Sequence, residues 1–109
     1  MPYLRLDDGN RIFYIDEGPR DGNVLLLLHG WCATSRLWSE QLGPLTQAGY
    51  RVVAIDACGH GRSTKRCDDP SFKGMFERLV EFLEKLHLLD TPIVVLGHSA
   101  GGGVAQFLA

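Results

Sequence analysis

At 109 residues and 12.1 kDa the chain has room for at most one domain, whose folding can bury roughly 65% of the surface the unfolded form exposes. Its 45% hydrophobic and 22% charged residues are ordinary for a globular protein, and a formal charge of −2 supplies neither a basic field for nucleic acid nor a polybasic membrane patch. The longest apolar run, "VLLLL" at 24–28, is far short of a membrane span. The opening "MPYLRLDDGN" has no apolar h-region, so the expectation is a cytoplasmic chain without a signal peptide. Cys32, Cys58 and Cys67 are an odd count with no C-x-x-C pair, and read as reduced thiols, neither a disulfide framework nor a zinc site.

In chain order, "YLRL" (3–6) and "RIFYID" (11–16) flank the turn-rich "DDGN", which predicts an antiparallel hairpin at a sheet edge. "GPRDGN" (18–23) is a second turn, and "VLLLL" predicts a strand covered on both faces. From Ser35 the spacing of Leu37, Trp38, Gln41 and Leu42 is helical, with Pro44 breaking or restarting the turn. "YRVVAID" (50–56) is a further apolar strand. Asp69 and Pro70 read as an N-cap and first helical residue, ahead of an amphipathic helix carrying Phe72, Met75, Phe76, Leu79, Leu83 and Leu86 on one face. Gly74 weakens the first turn of that helix. "PIVVLG" (92–97) predicts another buried strand, and "AGGGVAQFLA" the start of a helix. Strands alternating with helices imply crossover units, hence an α/β fold with a mainly parallel sheet. There is no repeat, linker or low-complexity tract.

Gly97-His98-Ser99-Ala100-Gly101 fits G-x-S-x-G at a strand-to-helix junction, the setting of a nucleophile elbow. Such a turn strains the serine backbone and leaves no space for a Cβ two residues before or after it, which accounts for Gly97 and Gly101. The helix beginning at Ala100 aims its free amides at charge developing near Ser99. The bland alternative is a Gly-rich turn whose serine is merely a cap. Acyl transfer also needs donors for an oxyanion: one is the amide of Ala100, and the other should come from the loop after the first long strand, which reads "HGW" from His29 to Trp31.

"HGW", "DACGHGRS" (56–63) and "GHSAGGG" in that order resemble the α/β-hydrolase superfamily, specifically its HG-x group, over essentially the whole chain. The resemblance implies that the Trp31 amide is the second oxyanion donor, and that the indole either lines an acyl pocket or simply packs. It makes His29 a structural loop residue and His98 a neighbour of the nucleophile, neither of them the base. "GHGRS" fits no phosphate-loop pattern, and Asp56 and Arg62 are expected to hold loop structure. His87 at the end of the long helix, and Cys32, are given structural roles.

In this superfamily the acid and the histidine follow the nucleophile in the chain. Only ten residues follow Ser99, and none is His, Asp or Glu. The sequence therefore resembles the N-terminal portion of a longer hydrolase, residues 1–109 forming a partial domain without the later strands and lid. The resemblance places the strand at 92–97 in mid-sheet, so that here it is expected as an apolar edge prone to aggregation. The expectation is a fragment of a cofactor-independent serine hydrolase without metal, acting on a small-molecule ester or related acyl bond. Alone it would be essentially inactive, lacking the C-terminal segment of the same chain. A C–C bond hydrolase, an enol-lactonase or a cofactor-free perhydrolase of the same fold is the alternative. A non-catalytic interaction module is the reading from another class; it leaves the elbow and "HGW" unaccounted for.

Overall fold

The computed structural model describes residues 3–65, 67 and 71–108, with Phe107 described by its backbone alone. Strands β1 (Tyr3–Arg5) and β2 (Arg11–Glu17) form the antiparallel hairpin, Tyr3 opposite Phe13. Strand β3 (Val24–Leu28) leads through a 3-10 turn at Ser35–Trp38 into α1 (Ser39–Gln47), then β4 (Arg51–Ile55), α2 (Phe72–Lys85), β5 (Ile93–Gly97) and α3 (Ala100–Leu108). The sheet order is β1-β2-β4-β3-β5: β2 meets β4 antiparallel, while β3 pairs in parallel with both β4 and β5. No helix among the described residues is long and apolar enough to cross a membrane.

Alternation along the strands decides the layers. Leu26 and Leu28 of β3, Val53 and Ile55 of β4 and Ile12 of β2 face α2 and α3, where Leu79, Phe82, Leu83 and Val104 meet them. Leu27, Val52 and Ala54 face the other way and pack with Trp38, covered by Leu42 and Leu45 of α1. Burying a side chain of this size contributes about 1.5–3 kcal/mol, so these two layers dominate the stability of the sheet. Phe82, absent from the predicted helix face, is 1% exposed and meets Tyr14 edge-on at 5.2 Å.

Several expectations are corrected. The helix after Ser35 runs through Pro44 instead of breaking there, because Leu42 and Leu45 anchor both sides of the lost hydrogen bond. The preceding 3-10 turn changes the phase, so Leu37 and Gln41 face solvent and Trp38 is buried. The N-cap of α2 is Ser71, whose Oγ accepts the Gly74 amide, so a buried Gly74 closes the first turn; Asp69 and Pro70 lie outside the described residues. Strand β5 is not buried on both faces. It is the sheet edge expected of this chain, and Val94 and Leu96 are 58% and 50% exposed on the same face as Leu27, beyond the reach of α1.

The expectation of three free thiols also gives way. Cys58 and Cys67 are bridged, with Cα atoms 6.0 Å apart, and Cys32 is free and exposed. The loop after β4 folds back on itself, with the Gly59 amide donating to the Thr64 carbonyl at 2.7 Å, which brings the two thiol-bearing residues within bridging range.

Candidate active site

The turn from β5 into α3 has the geometry of a tight elbow. Ser99 sits at φ 57°, a left-handed conformation that costs a residue with a Cβ about 1–2 kcal/mol. A Cβ on Gly97 would collide with the backbone of Gly101 and Gly102, and one on Gly101 with the carbonyls of Leu28 and His29. Neither position therefore accommodates a side chain. The ladder continues one residue past the strand, the His98 amide donating to the Leu28 carbonyl at 3.0 Å. Ser99 and His98 are exposed, and Ala100 is buried at the start of α3.

The loop after β3 comes to the same place. Gly30 faces Ser99 so closely that an added Cβ would stand 3.5 Å from its Oγ. Residues 30–33 form a turn closed by the Ala33 amide on the Gly30 carbonyl at 3.3 Å, with Cys32 at φ 61°. Among the described residues, neither the Trp31 nor the Ala100 amide meets a protein acceptor. The Trp31 indole is 51% exposed and tilts over His60 with ring centres 5.6 Å apart. Sequence-predicted Ser99, Ala100 and the Gly30-Trp31 peptide are thus gathered at one end of the parallel strands.

A third segment supports the other two. Asp56, 2% exposed, accepts the amides of Ser35 at 2.6 Å and Arg62 at 2.9 Å, one on each carboxylate oxygen. The Ser63 hydroxyl donates to the Asp56 carbonyl and accepts the Phe13 amide at 2.8 Å. His29, 3% exposed, lies between the loops, its Nε2 accepting the Ala57 amide at 2.9 Å. Burial lowers its pKa below the ordinary 6.5, and the nearby His60 adds to this, against the opposing pull of the Gly30 carbonyl and Asp56. A buried ring already committed at both nitrogens is no general base, in keeping with its reading as a loop residue. The His60 ring, 5.0 Å from that of His29, was not singled out in the sequence; only the folded loop shows that it bridges His29 and Trp31.

The apolar cavity lined by Leu28, Ile55, Met75, Leu79 and Val104 lies beneath α2 and α3 and leaves Ser99 outside its wall. Among the described residues no group of three or more His, Cys, Asp or Glu side chains is placed to hold a metal ion.

The chain is 38% identical to a non-heme chloroperoxidase of Burkholderia pyrrocinia and 40% identical to a bifunctional esterase/perhydrolase of Acinetobacter calcoaceticus, each match covering all of this chain and 39% of the relative. It thus spans well under half the length of these curated relatives. The crystal structure of a hydrolase from Pseudomonas aeruginosa PA01 superposes with a TM-score of 0.88 at 31% identity, over 98% of this chain and 39% of that one. The sequence model of the alpha/beta hydrolase fold matches residues 23–109. With a hairpin, a parallel β4-β3-β5 core and a strained serine at the strand-to-helix turn, the chain belongs to the alpha/beta hydrolase fold family.

Proposed function

We propose that this chain is the N-terminal part of a cofactor-independent serine hydrolase that cleaves a small-molecule ester or related acyl bond. Ser99 attacks the carbonyl carbon, its proton passing to a histidine supplied, with its acid partner, by sequence beyond Ala109. The amides of Trp31 and Ala100 take the oxyanion, the alcohol leaves with the proton, and water releases the acid from the acyl-enzyme. The observation that carries this reading is Ser99 held at φ 57° with Gly30 packed against it, so that nucleophile and oxyanion loop share one site. Residues 1–109 then form one partial domain. Without base and acid its rate is expected to be negligible, at best the roughly 10³–10⁴-fold over water that remains when a triad is lost from a well-built site.

A second reading is favoured by the relatives named as a chloroperoxidase and as an esterase/perhydrolase. On that reading hydrogen peroxide replaces water as acceptor of the acyl group and a peracid leaves. The Cys58–Cys67 bridge counts against a cytoplasmic setting. A fluorophosphonate probe applied to the natural full-length protein tests the nucleophile: an adduct on Ser99, lost in Ser99→Ala, is expected. Labelling that leaves Ser99 unmodified would refute the catalytic reading, and assay of peracid against acid product separates the two chemistries.

A further inference from the structure

The two nitrogens of His29 are engaged in opposite senses. The Ala57 N–H can only donate, and it reaches Nε2 at 2.9 Å, so Nε2 carries the lone pair and the proton sits on Nδ1. Nδ1–H then donates to the Gly30 carbonyl at 2.7 Å, and the same oxygen accepts the Ala33 amide at 3.3 Å. The Gly30 C=O and the Trp31 N–H belong to one peptide plane. No described peptide is cis, so they point in opposite directions. Whatever holds the carbonyl therefore aims the amide. The plane needs holding: Gly30 on one side of it has no side chain to restrict a flip, and one residue past Trp31 the chain turns through Cys32 in a left-handed conformation disfavoured for a residue with a Cβ.

We infer that His29 is a positioning residue, whose Nδ1–H fixes the Gly30 carbonyl and thereby keeps the Trp31 amide turned toward an oxyanion formed beside Ser99. This rests on the reading of Ser99 as nucleophile and adds to it a requirement on a residue that never touches substrate. The Ala57 amide sets the tautomer, which ties the loop after β4 to the geometry of the loop after β3. A proton on Nε2 in place of Nδ1 would remove the donor from the Gly30 carbonyl and oppose the Ala57 N–H at once.

Two substitutions separate this role from simple loop stapling. An asparagine amide falls near the place of Nδ1 and can still donate to the Gly30 carbonyl; a glutamine amide reaches the place of Nε2 and can still accept from Ala57. In the natural full-length protein, His29→Gln is expected to lower kcat about 10²-fold at unchanged KM, the scale of one lost oxyanion donor, while His29→Asn stays within about tenfold of wild type. The rate of fluorophosphonate labelling at Ser99 should follow the same order. Glutamine at wild-type rate with asparagine impaired, or both impaired alike together with their Tm, would overturn the inference. Ring 15N shifts of wild-type His29 give a check that needs no variant: Nδ1–H is expected, and Nε2–H overturns it. Wild-type protein that takes no adduct on Ser99 would instead bring down the nucleophile reading, and this inference with it.

Discussion

A Cβ placed on Gly30 would lie 2.9 Å from the Cβ of Ser99 and 3.0 Å from the carbonyl oxygen of His98. Neither neighbour is the free end of a flexible side chain; both belong to a turn already held in a left-handed conformation. Gly30→Ala is therefore expected to push the loop after β3 away from the elbow. The cost should be about 1–3 kcal/mol, as for overpacking a tight interior. Labelling of Ser99 in the full-length protein should slow by at least about tenfold, the scale of a misplaced oxyanion donor. An alanine variant with wild-type Tm and labelling rate would show that the two loops are not tightly coupled.

The bridge between Cys58 and Cys67 spans a sequence separation of 9. Loop-closure entropy for so short a ring predicts that reduction lowers stability by about 2–3 kcal/mol. Titration of the unreduced native protein should find one thiol, Cys32, and all three after unfolding in reductant. Three thiols without reductant would remove the bridge and favour the cytoplasmic setting.

Arg51 grips Asp16 through two hydrogen bonds, Nε to Oδ1 at 3.0 Å and Nη2 to Oδ2 at 2.7 Å. Burial on its own would raise the Asp16 pKa, but the guanidinium groups of Arg51 and Arg20 outweigh it and the value falls below 3.8. The folded state thus binds the Asp16 proton less readily than the unfolded state. The stabilisation is present above pH 3.8 and is lost as pH falls through the lower folded value. Asp16→Asn should cost about 1.5–3 kcal/mol near neutrality, the scale of hydrogen bonds to a charged group, and should flatten this acid limb in urea titrations. An unchanged limb would assign the acid sensitivity to other carboxylates.

At the end of α2, the His87 amide donates to the Glu84 carbonyl and the Leu88 amide to the Leu83 carbonyl, at 3.0 and 2.9 Å. This is a Schellman closure, and His87 fills its left-handed position at φ 60° where glycine is the favoured residue. His87→Gly is expected to raise stability by about 0.5–1 kcal/mol, relief of backbone strain outweighing the extra freedom of the unfolded chain. A lower Tm would mean that the imidazole contributes more at this helix end than the strain it carries.

The exposed Val94 and Leu96 make β5 an apolar edge in the 109-residue chain. Leu96→Lys should raise the monomer fraction in size-exclusion chromatography of that chain, because a lysine on an open edge opposes strand-to-strand association. An unchanged elution profile would place the self-association, if any, elsewhere.

Much of this fold was legible because the signals were local. Strands β3, β4 and β5 are short apolar runs bounded by turn residues, and Gly97 and Gly101 bracket Ser99 in the pattern of a tight strand-to-helix turn. What escaped depended on residues far apart in sequence. Nothing near Phe82 announces Tyr14 as its neighbour, and nothing in the spacing of Cys58 and Cys67 says that the loop between them doubles back. The two bonds of His29 are invisible from "HGW", since one partner is the amide of Ala57 on another strand's loop. The helical spacing of Leu37, Trp38, Gln41 and Leu42 does not reveal which of them is buried, because a 3-10 turn shifts the phase that an α-helical count assumes. The break expected at Pro44 failed for a similar reason, since packing of Leu42 and Leu45 outweighs a local propensity.

The central position of β3 also has a consequence for how the molecule assembles. Its parallel neighbours β4 and β5 are both made after it, and Val24 must wait for Ile93 before its second ladder can form. Throughout that interval "VLLLL" has no completed sheet around it, which exposes a newly made chain to capture by chaperones or to misassembly. The elbow depends on the same pairing, since Gly101 lies against the Leu28 and His29 carbonyls at the end of the β3–β5 ladder. The strained geometry of Ser99 thus depends on β5 being in register with β3, and a molecule in which that pairing has not formed has the serine without the site.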